Sequence, residues 1–193
     1  LQSITFGNSV AVIGADAFKN CENLTSLTIP DSVITIGNYA FYSCKGLTTL
    51  SLGGGVTSIG DYAFARCNNL IEITIPQNIT SLGESAFYNC LNLTTATING
   101  ATGDGAFSNC PLLATVIIGD AVTSIAEGCF ADCIGLTNVA IGNLVESINE
   151  RAFENCVSLA KVTIPDKVKS LGDNVFSNCT NLTEATMGNS ITS

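Results

Sequence analysis

The stretch IGDYAFARCNNL, residues 59–70, reads alone as a corner leading into a short turn, yet the chain writes it again and again. IGNYAFYSCKGL fills residues 36–47 and LGESAFYNCLNL residues 82–93. Working outward from the aromatic, Phe18, Phe41, Phe64, Phe87, Phe107, Phe130, Phe153 and Phe176 recur every 23 residues, with a single step of 20 between Phe87 and Phe107. A cysteine stands three residues after each, at Cys21, Cys44, Cys67, Cys90, Cys110, Cys133, Cys156 and Cys179, and only Cys129 falls outside that column. A leucine opens each unit, at Leu1, Leu24, Leu47, Leu70, Leu93, Leu113, Leu136, Leu159 and Leu182. A fixed period of this size marks a solenoid, in which each coil buries its apolar face only against its neighbours.

The units are 1–23, 24–46, 47–69, 70–92, 93–112, 113–135, 136–158 and 159–181, with a partial one at 182–193, and share the pattern L-x-x-[ILV]-x-I-P-x-x-V-x-x-I-G-x-x-A-F-x-x-C-x-x. Leu27 and Ile29 alternate with Ser26 and Thr28, the period of a half-buried strand. Pro30, Pro76 and Pro165 end it, since proline has no N–H for a ladder. A second extended piece, such as Val56 to Gly60, turns Val56 and Ile59 inward. Gly14, Gly37, Gly60, Gly83 and Gly172 suit a corner at positive φ. Asn38, Asp61 and Asp173 then read as N-caps of one helical turn in which Ala63, Phe64 and Cys67 share a face. Asn23, Gly46, Asn69, Asn92, Gly135 and Asn181 read as left-handed residues ending it. The expectation is one mostly β solenoid over 1–193, a right-handed, curved, horseshoe-like stack of about nine coils with one short helical turn each. The chain begins at Leu1 with no signal segment, so it is expected to be a piece of a longer protein or one already processed.

Composition narrows the functions. With 46% hydrophobic and 12% charged residues the chain folds, but no apolar run nears the roughly 20 residues of a membrane span. A net charge of −9 opposes nucleic acid and anionic lipid. Histidine is absent, which removes Ser-His-Asp and Cys-His activation. Glu146, Glu150 and Glu154 have helical spacing where the repeat places strand, corner and turn, so they do not form a carboxylate pair on one surface. No enzyme, metal or cofactor is expected. Nine cysteines on an inward face read as small apolar core residues with free thiols, and Cys129, in place of the usual alanine, as a larger core atom.

The stretch LTSLTIPDSVITIGNYAFYSC, residues 24–44, resembles the 23-residue leucine-rich repeat of BspA-like surface proteins, and the resemblance runs over essentially the whole chain. It implies a leucine-rich-repeat solenoid on a cell-surface or secreted protein that adheres to host matrix proteins or to other cells. It carries no fixed binding residues. One departure is the unit from Leu93, three residues short, with Gly100, Gly103 and Gly105 where second-strand Val and Ile belong. A local loss of convex-side core, hence a kink or soft spot, is expected there.

Two surfaces are candidates for a protein partner. The outward side chains of the main strands escape the framework's demands: Ser26, Thr28, Thr49, Ser51, Glu72, Thr74, Thr95, Thr97, Thr115, Ile117, Asn138, Ala140, Lys161 and Thr163. This face is rich in threonine and poor in the Trp, Tyr and Arg of binding hot spots. The second is a tyrosine stripe, Tyr39, Tyr42, Tyr62 and Tyr88, with Lys45 and Arg66 near it at the turns. The readings to be separated are a non-enzymatic adhesion module and a structural spacer that binds nothing.

Overall fold

The computed structural model describes residues 1–192. Its strands are β1 (Val12–Ile13), β2 (Ser26–Thr28), β3 (Thr35–Ile36), β4 (Thr49–Ser51), β5 (Ser58–Ile59), β6 (Glu72–Ile75), β7 (Ser81–Leu82), β8 (Thr95–Ile98), β9 (Thr115–Ile118), β10 (Ser124–Ile125), β11 (Asn138–Ala140), β12 (Ser147–Ile148), β13 (Lys161–Thr163), β14 (Ser170–Leu171) and β15 (Glu184–Thr186). Every pairing is parallel and joins equivalent residues of successive coils, as Val12 to Thr35 and Glu72 to Thr95. The fold is therefore a β-solenoid of leucine-rich-repeat type. Eight units supply a main-sheet strand; the first, over residues 1–7, supplies none.

The interior consists of columns. Phe18 to Phe176 stack ring on ring with centroids 5.2–5.6 Å apart and planes within 12° of parallel. Beside them the cysteines are unbridged, and all but the half-buried Cys21 are buried. Each thiol of the column from Cys44 onward, Cys129 lying outside it, donates to the phenylalanine carbonyl of the coil before it, as Cys44 to Phe18 at 3.2 Å and Cys133 to Phe107 at 3.2 Å. The expected free buried thiols are thus also a file of weak hydrogen bonds.

The expected helical turn is not there. In the third coil, Ala63, Ala65 and Cys67 donate their N–H groups back to the carbonyls of Gly60, Tyr62 and Phe64, closing successive four-residue turns. Between them, Tyr62, Phe64 and Arg66 donate to Glu84, Ala86 and Tyr88 of the next coil at 2.8–2.9 Å. A helix would spend those groups along its own axis, whereas a coil packed between two others must satisfy its backbone sideways. The left-handed residues are correspondingly displaced from the expected sites. They lie before the alanine, as Tyr39, Tyr62 and Ser85, and before the cysteine, as Asn20, Ser43, Asn89 and Asn109. Asn38 and Asp61 are not helix caps: the Asn38 Oδ1 accepts the Asp61 N–H, and the Asp61 Oδ1 accepts the Glu84 N–H, both at 2.9 Å.

The corner glycines from Gly37 onward answer to space, not to φ, while Gly14 in the first coil meets nothing within 4 Å. A Cβ on Gly37 would lie 2.6 Å from the Ala15 N, and one on Gly60 equally close to the Asn38 N, so only glycine lets the coils approach. The short unit also differs from its expectation. It interrupts the second sheet between β7 and β10, but the Phe87–Phe107 stack stays at 5.2 Å, and Ile79, Val122 and Ile125 stay buried. The chain cuts directly across: Ala101 donates to the Ile79 carbonyl at 2.8 Å. On the other side, the Thr102 Oγ1 donates to the Ser124 carbonyl at 2.9 Å and accepts the Ala126 N–H at 3.0 Å. What remains is a shallow outer groove of about 400 Å³ between Ile79 and Thr123.

Candidate binding site

On the main sheet the threonines at the start of each strand act as clips. Thr48, Thr94, Thr137 and Thr183 each donate Oγ1 to a carbonyl one coil back, at 2.9–3.3 Å. At that register Ile71 and Ala160 carry no hydroxyl, and there the ladder parts: no pairing joins β4 to β6 or β11 to β13. Ala114 also lacks the hydroxyl, but its N–H still reaches the Thr94 carbonyl at 2.9 Å across the short unit.

Each parting opens a groove on the outward face. The first, about 290 Å³, gathers Ser51, Glu72, Thr74, Thr95 and Thr97 around Leu50 and Pro76. The second, about 580 Å³ and the more apolar, gathers Thr115, Ile117, Asn138, Ala140, Lys161 and Thr163. Thr49 lines neither and stands in file beside Ser26. Ile117 is 43% exposed, a large apolar side chain free on this face. Lys161 is tied to Glu184 at 2.6 Å, a carboxylate contact that holds its ammonium pKa above the usual value.

The tyrosine stripe is a cluster in part. Tyr39 and Tyr62 stack at 5.1 Å and 3°, and Tyr42 meets Tyr39 edgewise at 5.6 Å. Lys19 lies 5.1 Å over Tyr39, and Arg66 5.9 Å over Tyr42. Tyr88 joins no ring contact, and Lys45 turns to Glu22 at 2.7 Å. Lys19, which the sequence reading left out, completes the group.

Sequence reasoning also missed a file of acids. Three residues before the stacked phenylalanine stand Asp61, Glu84, Asp104, Glu127, Glu150 and Asp173 in successive coils. Backbone bonds keep them in register: Ser85 donates to the Asp104 carbonyl, Gly105 to Glu127 and Gly128 to Glu150. Reading that position down the phenylalanine alignment would have found it. Where the next residue is small, at Ser85, Gly105 and Gly128, a trough of about 400 Å³ lies along the file, with Asp132 on its far side.

The profile of the BspA type leucine rich repeat region matches residues 1–103 and 100–193. No curated protein sequence matches the chain. Among solved structures, a leucine-rich repeat protein of T. pallidum is similar at 31% identity and a TM-score of 0.70, over 78% of this chain and 72% of that one. One from Eubacterium ventriosum superposes at 0.81 with 28% identity over 86% of this chain, which spans 46% of that protein. One from Bacteroides ovatus, 27% identical, superposes at 0.65 over 97% of this chain and 67% of that one. With the repeat matched from end to end and the columns it specifies filling the interior, this chain belongs to the BspA-type leucine-rich repeat family.

Proposed function

We propose that the chain is a non-enzymatic protein-binding module of a cell-surface or secreted protein and meets its partner through the outward face of the main sheet. The observation that carries this reading is the pair of grooves at the partings of that sheet, lined by side chains the repeat leaves free. The family supports a protein-interaction role, and the surface location and a host matrix or cell-surface partner follow from what the resemblance implies. The framework columns occupy the recurring residues, which leaves binding to the variable ones.

The competing reading is a spacer that binds nothing, and the blandness of Ser26, Thr28 and Thr49 favours it. Capture from matrix and cell-surface protein fractions separates them. The wild-type chain is expected to retain a partner, and Ile117→Glu, which puts a charge into the larger groove at an exposed site, to release it. No capture by the wild type sinks the module reading in favour of the spacer; full capture by the variant moves the site off this face.

A further inference from the structure

We propose that the gap in the second sheet between β7 and β10 is a second binding site, which takes an extended, uncharged segment of a protein partner as the missing parallel strand. The site lies off the main sheet and goes beyond the reading given for that face.

Both hydrogen-bonding walls of the gap are in place. At the entry to the second-sheet strands one backbone bond clips successive coils. Ile34 donates to the Ala11 carbonyl, Thr57 to Ile34, Thr80 to Thr57, Glu146 to Thr123 and Lys169 to Glu146, all at 2.8–2.9 Å. Across the short unit that bond fails on both sides: the Thr80 carbonyl receives no donor and the Thr123 N–H finds no acceptor among the described residues. The Ser124 N–H, whose counterparts Ser58 and Ser81 reach the coil before them at 3.2–3.3 Å, is unpaired as well. The two walls stand one coil apart, since Phe107 keeps its stacking on Phe87 at 5.2 Å and on Phe130 at 5.6 Å. One strand fits between them, about 4.8 Å from each neighbour.

The short unit does not fill this space itself. Ala101 is held to the Ile79 carbonyl, and the Thr102 hydroxyl bonds both the Ser124 carbonyl and the Ala126 N–H, standing in for the inner end of the missing strand. The outer end is the three residues the unit lacks, and in their place lies the groove of about 400 Å³ lined by Gly100 and Ala101. Thr80 and Ser81 are exposed there, whereas Thr57 and Ser58 one coil earlier are half-buried. A main-chain acceptor and donor left unpaired in strand register, one on each side of a strand-wide gap, suit strand addition, in which backbone bonds supply the affinity.

The chemistry of the occupant follows from Thr57, whose N–H meets the Ile34 carbonyl and whose carbonyl meets the Thr80 N–H, both at 2.9 Å. A partner residue in the equivalent place would donate to Thr80 and accept from Thr123. Threonine suits it, because the hydroxyls of Thr57 and Thr80 add a second bond to the coil before at 3.4 and 3.3 Å. No charged residue lines the groove, which matches an uncharged segment.

The test uses a labelled peptide centred on VTSIG, the sequence of residues 56–60 that occupies this position two coils earlier. Anisotropy is expected to show binding that changes little with salt, unlike diffuse attraction. Amide exchange at Thr123 and Ser124 is expected to slow on saturation. The same peptide N-methylated at its threonine lacks the donor for Thr80 and is expected to bind about tenfold more weakly. Replacing residues 100–102 by a copy of residues 77–82 restores a 23-residue unit. That filled chain is expected to protect the Thr123 amide without peptide and to bind none, with melting curves confirming its fold. No binding by the wild type, equal binding of the two peptides, undiminished binding to the filled chain, or protection confined to the main-sheet strands overturns the site. The peptide pair decides the matter on the wild-type chain alone. If the peptide fails to bind while partner capture holds, this site fails and the main-sheet reading stands; if the peptide binds and nothing is captured, the main-sheet reading fails and this site stands.

Discussion

At the scale of single residues, the cysteine column shows why sulfur recurs where alanine would pack. The Phe64 carbonyl already accepts the Cys67 N–H at 3.3 Å, and the Cys90 thiol takes its second lone pair at 3.5 Å. A serine oxygen on a shorter bond could not reach, because O–H donors need about 2.7–2.8 Å. The same burial makes these thiols reluctant to ionise: Cys44 is pushed up to about 11 by desolvation, and Cys67 and Cys133 well above the thiol range, again chiefly by burial. Such a group favours the folded state while it is protonated in both states. That stability is intact below the unfolded value of about 8.5 and is lost as pH rises from there toward the folded value. Thermal or urea unfolding is expected to be flat from pH 6 to 8 and, above about pH 9, to lose about 1.4 kcal/mol per pH unit for each thiol held up in this way, Cys44, Cys67 and Cys133 among them. Cys67→Ala should shallow that slope by one thiol's share. A slope unchanged by the substitution would remove the cysteines as its cause.

At the scale of the element, the turn between the corner and the next strand stores backbone strain in every coil, at two left-handed residues each. Asparagine holds the site before cysteine in five coils, at Asn20, Asn89, Asn109, Asn155 and Asn178, and tolerates it best of the non-glycine residues. Its amide also bridges coils, as Asn109 to Asn89 at 2.9 Å and Asn178 to Asn155 at 2.8 Å. Ser43 holds the same site at φ 59°, is 6% exposed, and its hydroxyl has no hydrogen-bond partner among the described residues. Ser43→Gly is therefore expected to raise stability by about 0.5–1 kcal/mol, and Ser43→Val to lower it by about 2 kcal/mol, since a β-branched side chain fits the left-handed region worst. Paired urea melts check both signs. The turn also marks where the sequence stopped being readable. Ala63, Phe64 and Cys67 at spacings of three and four suit a helical face and a run of tight turns equally, and only the need to bond sideways decides between them. The columns suffered no such ambiguity, because a phenylalanine recurring every 23 residues stacks whatever the backbone between does.

At the scale of the whole molecule, a solenoid is as strong as the weakest contact between neighbouring coils. The candidate surfaces followed this hierarchy of legibility: the outward side chains of the sheet were readable from alternation, whereas the grooves among them depend on where the ladder parts. The partings coincide with Ile71 and Ala160, two of the three residues without a hydroxyl in a column otherwise of threonine, and the third, Ala114, keeps its pairing across the short unit. The Thr137 carbonyl receives no bond from Ala160, although the Ala160 carbonyl is clipped by Thr183 in turn at 3.3 Å. Ala160→Thr supplies the missing hydroxyl at an exposed site with strand propensity in its favour. It is expected to add about 0.5–1 kcal/mol, the usual net worth of one hydrogen bond. It should also slow amide exchange at Lys161 and Val162, and narrow the larger groove, which Ala160 itself lines, enough to reduce partner capture. Hydrogen exchange across β11 and β13 decides the cause. Slower exchange at the seam means that the clip has closed it; a gain in stability with exchange at Val162 unchanged would come from propensity alone, and the parting would then need another origin.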